Sequence, residues 1–168
     1  MAEKKLPFSK EQIISLAATY PTPFYVYDEQ AMRNNARRLK KAFSKVPGFM
    51  NYFAVKGLPN PHVMELLKEE GMGADCSSEA ELMLSEAVGL KGEQIMFTSN
   101  NTAWQEYKKA KELGGVINLD DITQIKYLED NVGLPELISF RYNPGPAREG
   151  NAIIGKPEEA KFGLTKSQ

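Results

Sequence analysis

Cysteine is almost missing from this sequence. Cys76 stands alone, so the chain can form no internal disulfide, as expected of a protein kept in a reducing cytosol. Its plain reading is a small buried hydrophobe rather than a reactive thiol. Histidine is equally scarce, with only His62. One Cys and one His do not make a Cys/His zinc site, and no metal is expected. Excess charge is missing too. Lys and Arg number 21 against 22 Asp and Glu, a formal net charge of -1, which gives no reason to expect nucleic acid or an anionic membrane as partner. No apolar run approaches the ~20 residues of a membrane span. Residues 1–10 are charged and lack the apolar stretch of a signal peptide, so a cytoplasmic location is expected. What remains is an ordinary soluble composition, 42% hydrophobic and 26% charged over 168 residues, long enough for one domain with a real core.

The first elements are read from caps and periodicity. Ser9 with Gln12 forms a capping box ahead of Ile13, Ile14 and Leu16, and Pro21 and Pro23 stop that helix. Residues 24–27, Phe-Tyr-Val-Tyr, read as a strand. Asp28 caps a second helix whose apolar stripe is Met32, Ala36, Leu39 and Phe43. Pro47 and Gly48 end it.

From there the chain becomes periodic. Strands are expected at residues 49–55, 74–76, 95–98, 116–119 and 137–142, with starts 21 to 25 residues apart. A helix follows each of the first four. Asn60 with Pro61 opens the first, and Ser78 with Glu81, Thr102 with Gln105 and Asp121 with Gln124 open the others as capping boxes or near relatives of them. Gly71, Gly89, Gly114 and Gly133 close these helices. The spacing is that of βα units with short loops. The strands read as apolar runs, as in a parallel sheet covered on both faces. A doubly wound sheet and a TIM barrel both fit; the barrel is preferred because no glycine-rich phosphate fingerprint follows the first strand. The fold class is therefore α/β, a partial (β/α)8 barrel of about five βα units where closure needs eight and ~250 residues. Such a piece leaves an open edge.

Polar residues follow each strand: Lys56; Asp75 with Ser77 and Ser78; Asn100 and Asn101; Asp120 and Asp121; Arg141 and Asn143. In a βα barrel these ends share the rim on which active sites are built. Ser78, Thr102 and Asp121 are accounted for as caps, and Glu81 as a capping partner. Lys56, Arg141 and Asn143 are not, and a charged residue directly after a buried run needs a partner or a purpose.

Several of these segments carry a family resemblance. Tyr52-Phe53-Ala54-Val55-Lys56 followed by Asn60-Pro61 resembles the cofactor-lysine segment of the barrel-type, alanine-racemase-like amino-acid decarboxylases that use pyridoxal phosphate. Gly73-Ala74-Asp75-Cys76-Ser77-Ser78 with Glu81 resembles that family's second strand, and Thr22-Pro23-Phe24-Tyr25-Val26-Tyr27-Asp28 its entry strand. Phe97-Thr98-Ser99-Asn100-Asn101 is similar to the third strand of diaminopimelate decarboxylases. Asn118-Leu119-Asp120-Asp121, Arg141-Tyr142-Asn143-Pro144-Gly145 and Lys161-Phe162-Gly163 continue the series in family order. Gly57-Leu58-Pro59 departs from it, standing where many relatives have Ala-Asn and a shorter link.

The resemblance implies a two-domain homodimer with its active sites at the subunit interface. Residues 1–27 would contribute a helix and strand to a β-domain, and residues 28–168 would form the N-terminal part of the barrel. It implies pyridoxal phosphate as cofactor, an amino-acid substrate and loss of carbon dioxide: meso-2,6-diaminopimelate to L-lysine, with ornithine, arginine or carboxynorspermidine decarboxylases as rivals and a non-catalytic cofactor-binding relative as a further alternative. Lys56 would be the cofactor-binding lysine, its amine kept neutral by desolvation at the barrel mouth; the residues alone would leave it an ordinary surface lysine. Asp75 and Glu81 would orient it. Arg141 would sit near the cofactor's phenolic oxygen, with a structural ion pair as the competing reading. Asn100, Asn101, Asp120 and Asn143 are weaker rim candidates. The family's stacking histidine, glycine-rich phosphate loop and acidic partner of the pyridine nitrogen are expected beyond Gly163, and none is found in this sequence. The 168 residues alone are therefore expected to be inactive.

Overall fold

The computed structural model describes residues 6–145 and 163–166. Two helices lead in, α1 (Lys10–Thr19) and α2 (Glu29–Ala42). Ser9 and Gln12 form the expected capping box, and the Asp28 carboxylate accepts from the Ala31 amide at 2.9 Å. The expected strand at residues 24–27 is not formed. A strand needs a neighbouring backbone to hydrogen-bond, and none of the described residues pairs with this segment. Its side chains stay largely open to solvent, Tyr25 at 88%.

Five strands follow: β1 (Tyr52–Ala54), β2 (Gly73–Cys76), β3 (Ile95–Thr98), β4 (Val116–Leu119) and β5 (Ile138–Phe140). They alternate with α3 (Pro61–Glu69), α4 (Glu79–Ala87), α5 (Trp104–Glu112) and α6 (Thr123–Asn131). β1 and β5 are shorter than expected because the apolar pattern of residues 49–55 and 137–142 runs past the paired backbone. All neighbours are parallel and lie in sequence order, β1-β2-β3-β4-β5. Tyr142 bridges Leu164 in parallel, continuing that order beyond β5.

This order separates the two candidate folds. A doubly wound sheet reverses its direction of growth and carries helices on both faces; here there is no reversal. Ala74, Cys76, Ile95, Phe97, Ile117 and Leu119 share one core with Met64, Leu82, Tyr107, Ala110 and Leu128 of α3 to α6, so the helices lie on one face. The sheet is a segment of a barrel wall.

The expectation that both faces are apolar needs correction. Register aligns Ala54 with Asp75, Asp75 with Met96, Thr98 with Asn118, and Asn118 with Ser139. In parallel pairs these neighbours share a face, so the side away from the helices carries one polar side chain in each of β2 to β5. Glycine shapes the same face. A Cβ at Gly73 would lie 2.7 Å from the Tyr52 ring, whose hydroxyl donates to the Glu93 carbonyl at 2.6 Å.

One helix start and one capping box also differ from expectation. α5 begins one residue late: Ala103 is its cap, and Glu106, not Gln105, accepts from the Ala103 amide at 3.0 Å. At α4 the box is half formed. Ser78 Oγ accepts from the Glu81 amide, whereas the Glu81 carboxylate reaches past Ser78 to the Ser77 amide at 2.9 Å. α2 is fastened to α3 by Ala36 packing with Val63, Leu66 and Leu67 and by Arg33 and Arg37 on Glu70 at 3.1 and 2.7 Å. Of its expected stripe only Ala36 is buried; Phe43 instead stacks on Phe49, with ring centroids 4.3 Å apart.

Candidate active site

Lys56 lies in the single 3-10 turn Val55–Gly57 that leaves β1. Val55 is fully buried and its carbonyl accepts from the Leu58 amide at 3.0 Å, so the turn is anchored while Lys56 is exposed. The desolvation expected at this amine is therefore not supplied by the described residues.

Asp75 sits in β2 beside Ala54, two residues before Lys56. Its Oδ1 is buried and has no hydrogen-bond partner among the described residues. Burial pushes its carboxyl above the usual range, a neighbouring Thr98 hydroxyl and the charge of Lys56 pull it down, Glu81 pushes it up, and Arg141 pulls it down. Asp75 thus feels both cations of the rim. Glu81 is buried on α4 and gathers the turn after β2. Its carboxylate accepts from Ser77 N at 2.9 Å, Ser77 Oγ at 3.0 Å and Ser78 Oγ at 3.1 Å.

Arg141 follows β5, and its amide donates to the Leu119 carbonyl at 3.0 Å. Its guanidinium pairs with Asp120 at 3.0 Å, and the Asp120 side chain is only 3% exposed. Burial pushes the Asp120 carboxyl up while Arg141 draws it down. The ion-pair reading of Arg141 is thus present in the structure, and it leaves the guanidinium partly exposed at the rim. Asn143 is buried and serves the backbone: its amide donates to the Leu164 carbonyl and its Oδ1 accepts from the Gly145 amide at 2.9 Å. Gly163 closes this corner. Its amide donates to the Asp120 carbonyl at 2.8 Å. Its φ of +89° is one that L side chains rarely adopt, and a Cβ there would lie 2.9 Å from the Arg141 carbonyl. Lys161, part of the same motif, lies outside the described residues.

Lys56, Asp75, Asp120 and Arg141 thus stand at or beside the C-terminal ends of parallel strands, on one rim. Asn100 and Asn101 also follow a strand end but are exposed, and they line a cleft of about 630 Å3 with Thr102, Asp120, Asp121 and Gln124. Sequence reasoning passed over Thr98, Asn118 and Ser139, which share the Asp75 face. The signal was there: each of these otherwise apolar strands carries a single polar residue, out of phase with its most apolar positions.

The rim fits pyridoxal phosphate: a lysine able to hold its aldehyde, a guanidinium able to face an oxyanion, and a half-buried carboxylate that senses both, with one buried oxygen unused among the described residues. Residues 29–168 match the family described as pyridoxal-dependent decarboxylase, pyridoxal binding domain. The chain belongs to this family, and pyridoxal phosphate is its cofactor. It is 41% identical over 153 residues to Protein TabA of Pseudomonas amygdali pv. tabaci, covering 91% of this chain and 36% of that protein. It is 36% identical over 158 residues to the diaminopimelate decarboxylase of Methanothermobacter thermautotrophicus, covering 92% and 37%. Among solved structures, diaminopimelate decarboxylase from M. jannaschii in complex with L-lysine superposes with a TM-score of 0.84 at 26% identity, over 93% of this chain and 38% of that one. The chain therefore spans little more than a third of the length of these relatives, and the sheet is a partial barrel.

Proposed function

We propose that the complete enzyme containing these residues decarboxylates meso-2,6-diaminopimelate to L-lysine, in lysine biosynthesis, with Lys56 as the residue that holds pyridoxal phosphate. The observation that carries this reading is the convergence of Lys56, Asp75 and Arg141 on one rim of a decarboxylase-family barrel. The substrate is supported by relatives from several organisms named diaminopimelate decarboxylase, 36% identical in Methanothermobacter thermautotrophicus and 34% in Bacillus subtilis. Asn100-Asn101 and Asn143-Pro144-Gly145 lean the same way. The 41% identity to Protein TabA, whose name states no activity, keeps alive other substrates of the fold (ornithine, arginine, carboxynorspermidine) and a non-catalytic cofactor-binding role.

When bound, the cofactor supplies an electron sink for the pair left behind as carbon dioxide departs. The chain's own residues do the rest. Lys56 Nζ tethers and presents the cofactor, which a free amine cannot do with the same orientation. Asp75, half-buried one strand away, orients Lys56 and holds a proton more readily than an ordinary carboxylate. Glu81 braces the Ser77-Ser78 turn that fixes the end of β2. Arg141 supplies fixed positive charge where a cofactor oxyanion would lie.

Further parts of the proposal follow from the partial barrel. Residues 1–27 join a β-domain and residues 28–168 form the first part of the barrel. The enzyme is a cytoplasmic homodimer, and the 168 residues alone do not turn over substrate. No helix among the described residues is long and apolar enough to cross a membrane.

Borohydride reduction of the complete enzyme followed by peptide mapping tests the central assignment. The phosphopyridoxyl label is expected on Lys56; a label on another lysine, Lys161 included, overturns it. Turnover measured with each candidate amino acid tests the substrate. Faster carbon dioxide release from ornithine or arginine than from diaminopimelate would refute that part alone.

A further inference from the structure

We propose that Asp120 is the positioning residue for Arg141, holding its guanidinium at the rim so that it meets the cofactor in one orientation. The inference rests on the proposed function and assigns a role to a carboxylate for which capping and rim placement give no reason. Asp121, the next residue, does the capping: its Oδ1 accepts from the Thr123 amide at 2.8 Å and from the Thr123 hydroxyl at 2.6 Å. Asp120 takes no part in that turn through its side chain. It is 3% exposed, and its Oδ1 lies 3.0 Å from Arg141 Nη1 as an ion pair, with no hydrogen bond to that oxygen among the described residues.

The backbone around the pair is tied on three sides. The Asp120 amide donates to Gln124 Oε1 at 2.7 Å. The Asp120 carbonyl accepts from Gly163, and the Arg141 amide donates to the carbonyl of Leu119, the residue before Asp120. Leu119 is paired with Phe140, so Asp120 and Arg141 are the next lateral neighbours across β4 and β5. Gly163 sits with its Cα where any Cβ would crowd the Arg141 carbonyl and side chain. A flexible arginine at a strand end has many rotamers. A buried carboxylate one strand away, with its own main chain held at both amide and carbonyl, selects among them. An unpaired buried carboxylate is costly, so Asp120 favours arrangements that keep the guanidinium beside it. That is what a positioning residue requires: the acid is fixed by the fold, and the base is fixed by the acid.

The test uses the complete enzyme and a double-mutant cycle of D120N and R141A, read by three measurements. These are kcat, the dissociation constant for pyridoxal phosphate, and the wavelength and intensity of the bound cofactor's visible band. If Asp120 works through Arg141, D120N lowers kcat about 10- to 100-fold, as a misplaced group does, weakens cofactor binding and displaces the band in the same sense as R141A. The double variant is then no worse than R141A alone. Independent, additive losses, or a D120N enzyme whose band and cofactor affinity match the wild type, would overturn the inference. If D120N does not accumulate folded, D120E keeps the charge and moves it by one methylene. The expected result is a smaller loss with the same direction of spectral change, and wild-type behaviour refutes the proposal. The proposed function fails separately: wild-type protein with no visible band on adding pyridoxal phosphate would sink that reading, whereas an R141A variant that behaves as wild type would overturn the positioning role.

Discussion

The two faces of the sheet are built from alternate residues of the same strands and obey opposite rules. On the helix side Cys76, Ile95, Phe97, Ile117 and Leu119 have no solvent exposure at all, and Phe97 meets the Tyr107 ring edge-on at 6.0 Å between centroids. On the other side Thr98, Asn118 and Ser139 stand in register across three strands, Asp75 joins the same face beside Met96, and all four remain partly open. The apolar face does the holding, and because side chains alternate with a period of two, it also fixes where the polar ones must point. A site built this way needs little stabilising packing of its own, so its residues can be chosen for chemistry.

The largest expected effect is on the polar side. In the complete enzyme Lys56→Ala should lose the cofactor's visible band and nearly all turnover, about 10^4-fold or more. In the cofactor-free proteins its unfolding free energy should change by less than about 0.5 kcal/mol, because the side chain is exposed. Unfolding in urea and steady-state rates check the two halves. A protein that loses activity by unfolding would erase the distinction between the faces. Lys161→Ala should keep the band.

The mirror-image change is Phe97→Ala. It should lower stability by about 3–5 kcal/mol through a cavity and lost aromatic contact. Met96→Ala, one residue away on the opposite face, should lower it by about 1 kcal/mol or less. Urea midpoints for the pair measure the asymmetry directly, and equal losses would mean that the second face is packed after all.

Gly73→Ala sharpens the comparison, since it adds a methyl group to the open face at a point where that face is crowded. The new Cβ would lie 2.5 Å from the Gln94 carbonyl and 2.7 Å from the Tyr52 ring. A loss of about 1–3 kcal/mol is expected, and no measurable change in melting temperature would show that Tyr52 swings aside freely.

The smallest effect concerns Asp75. Burial raises its carboxyl, so the folded state binds its proton more tightly than the unfolded chain does. Any stability this group contributes is fully present below the unfolded value of about 3.9 and is lost as pH rises through the folded value. Asp75→Asn should therefore raise the melting temperature at pH 7 by a few degrees, about 1–4 °C. The gain should shrink as pH falls toward 4, and activity should drop. A variant less stable at pH 7 than at pH 4, relative to wild type, would mean that Asp75 is held by a favourable ion pair instead.

Much of this was legible in the residues. Ser9, Asp28 and Asn60 announce helix starts through local hydrogen bonds that need no tertiary partner. Gly71, Gly89, Gly114 and Gly133 announce helix ends because each takes a positive φ. The misreadings have a common cause. At Thr102 and Gln105 the local pattern allowed two registers, and a neighbour chose between them: Glu106 is also engaged by the Glu79 amide at 3.1 Å; at Ser78 the start is the expected one, and only the Glu81 carboxylate turned to the Ser77 amide. Residues 24–27 have the composition of a strand but no partner backbone among the described residues.

By itself the sequence determined the number and order of the βα units, most of their boundaries and the position of Lys56 at a strand end, because caps, glycine turns and apolar periodicity act over a few residues. Tertiary structure alone decided which face each strand residue joins, since only the register with a neighbour turns Thr98, Asn118 and Ser139 into one polar surface. It alone decided that Arg141 is drawn to Asp120 across β4 and β5, 21 residues apart in the chain. An ion pair between strand ends has no sequence signature, because the distance that makes it exists only once the strands have paired.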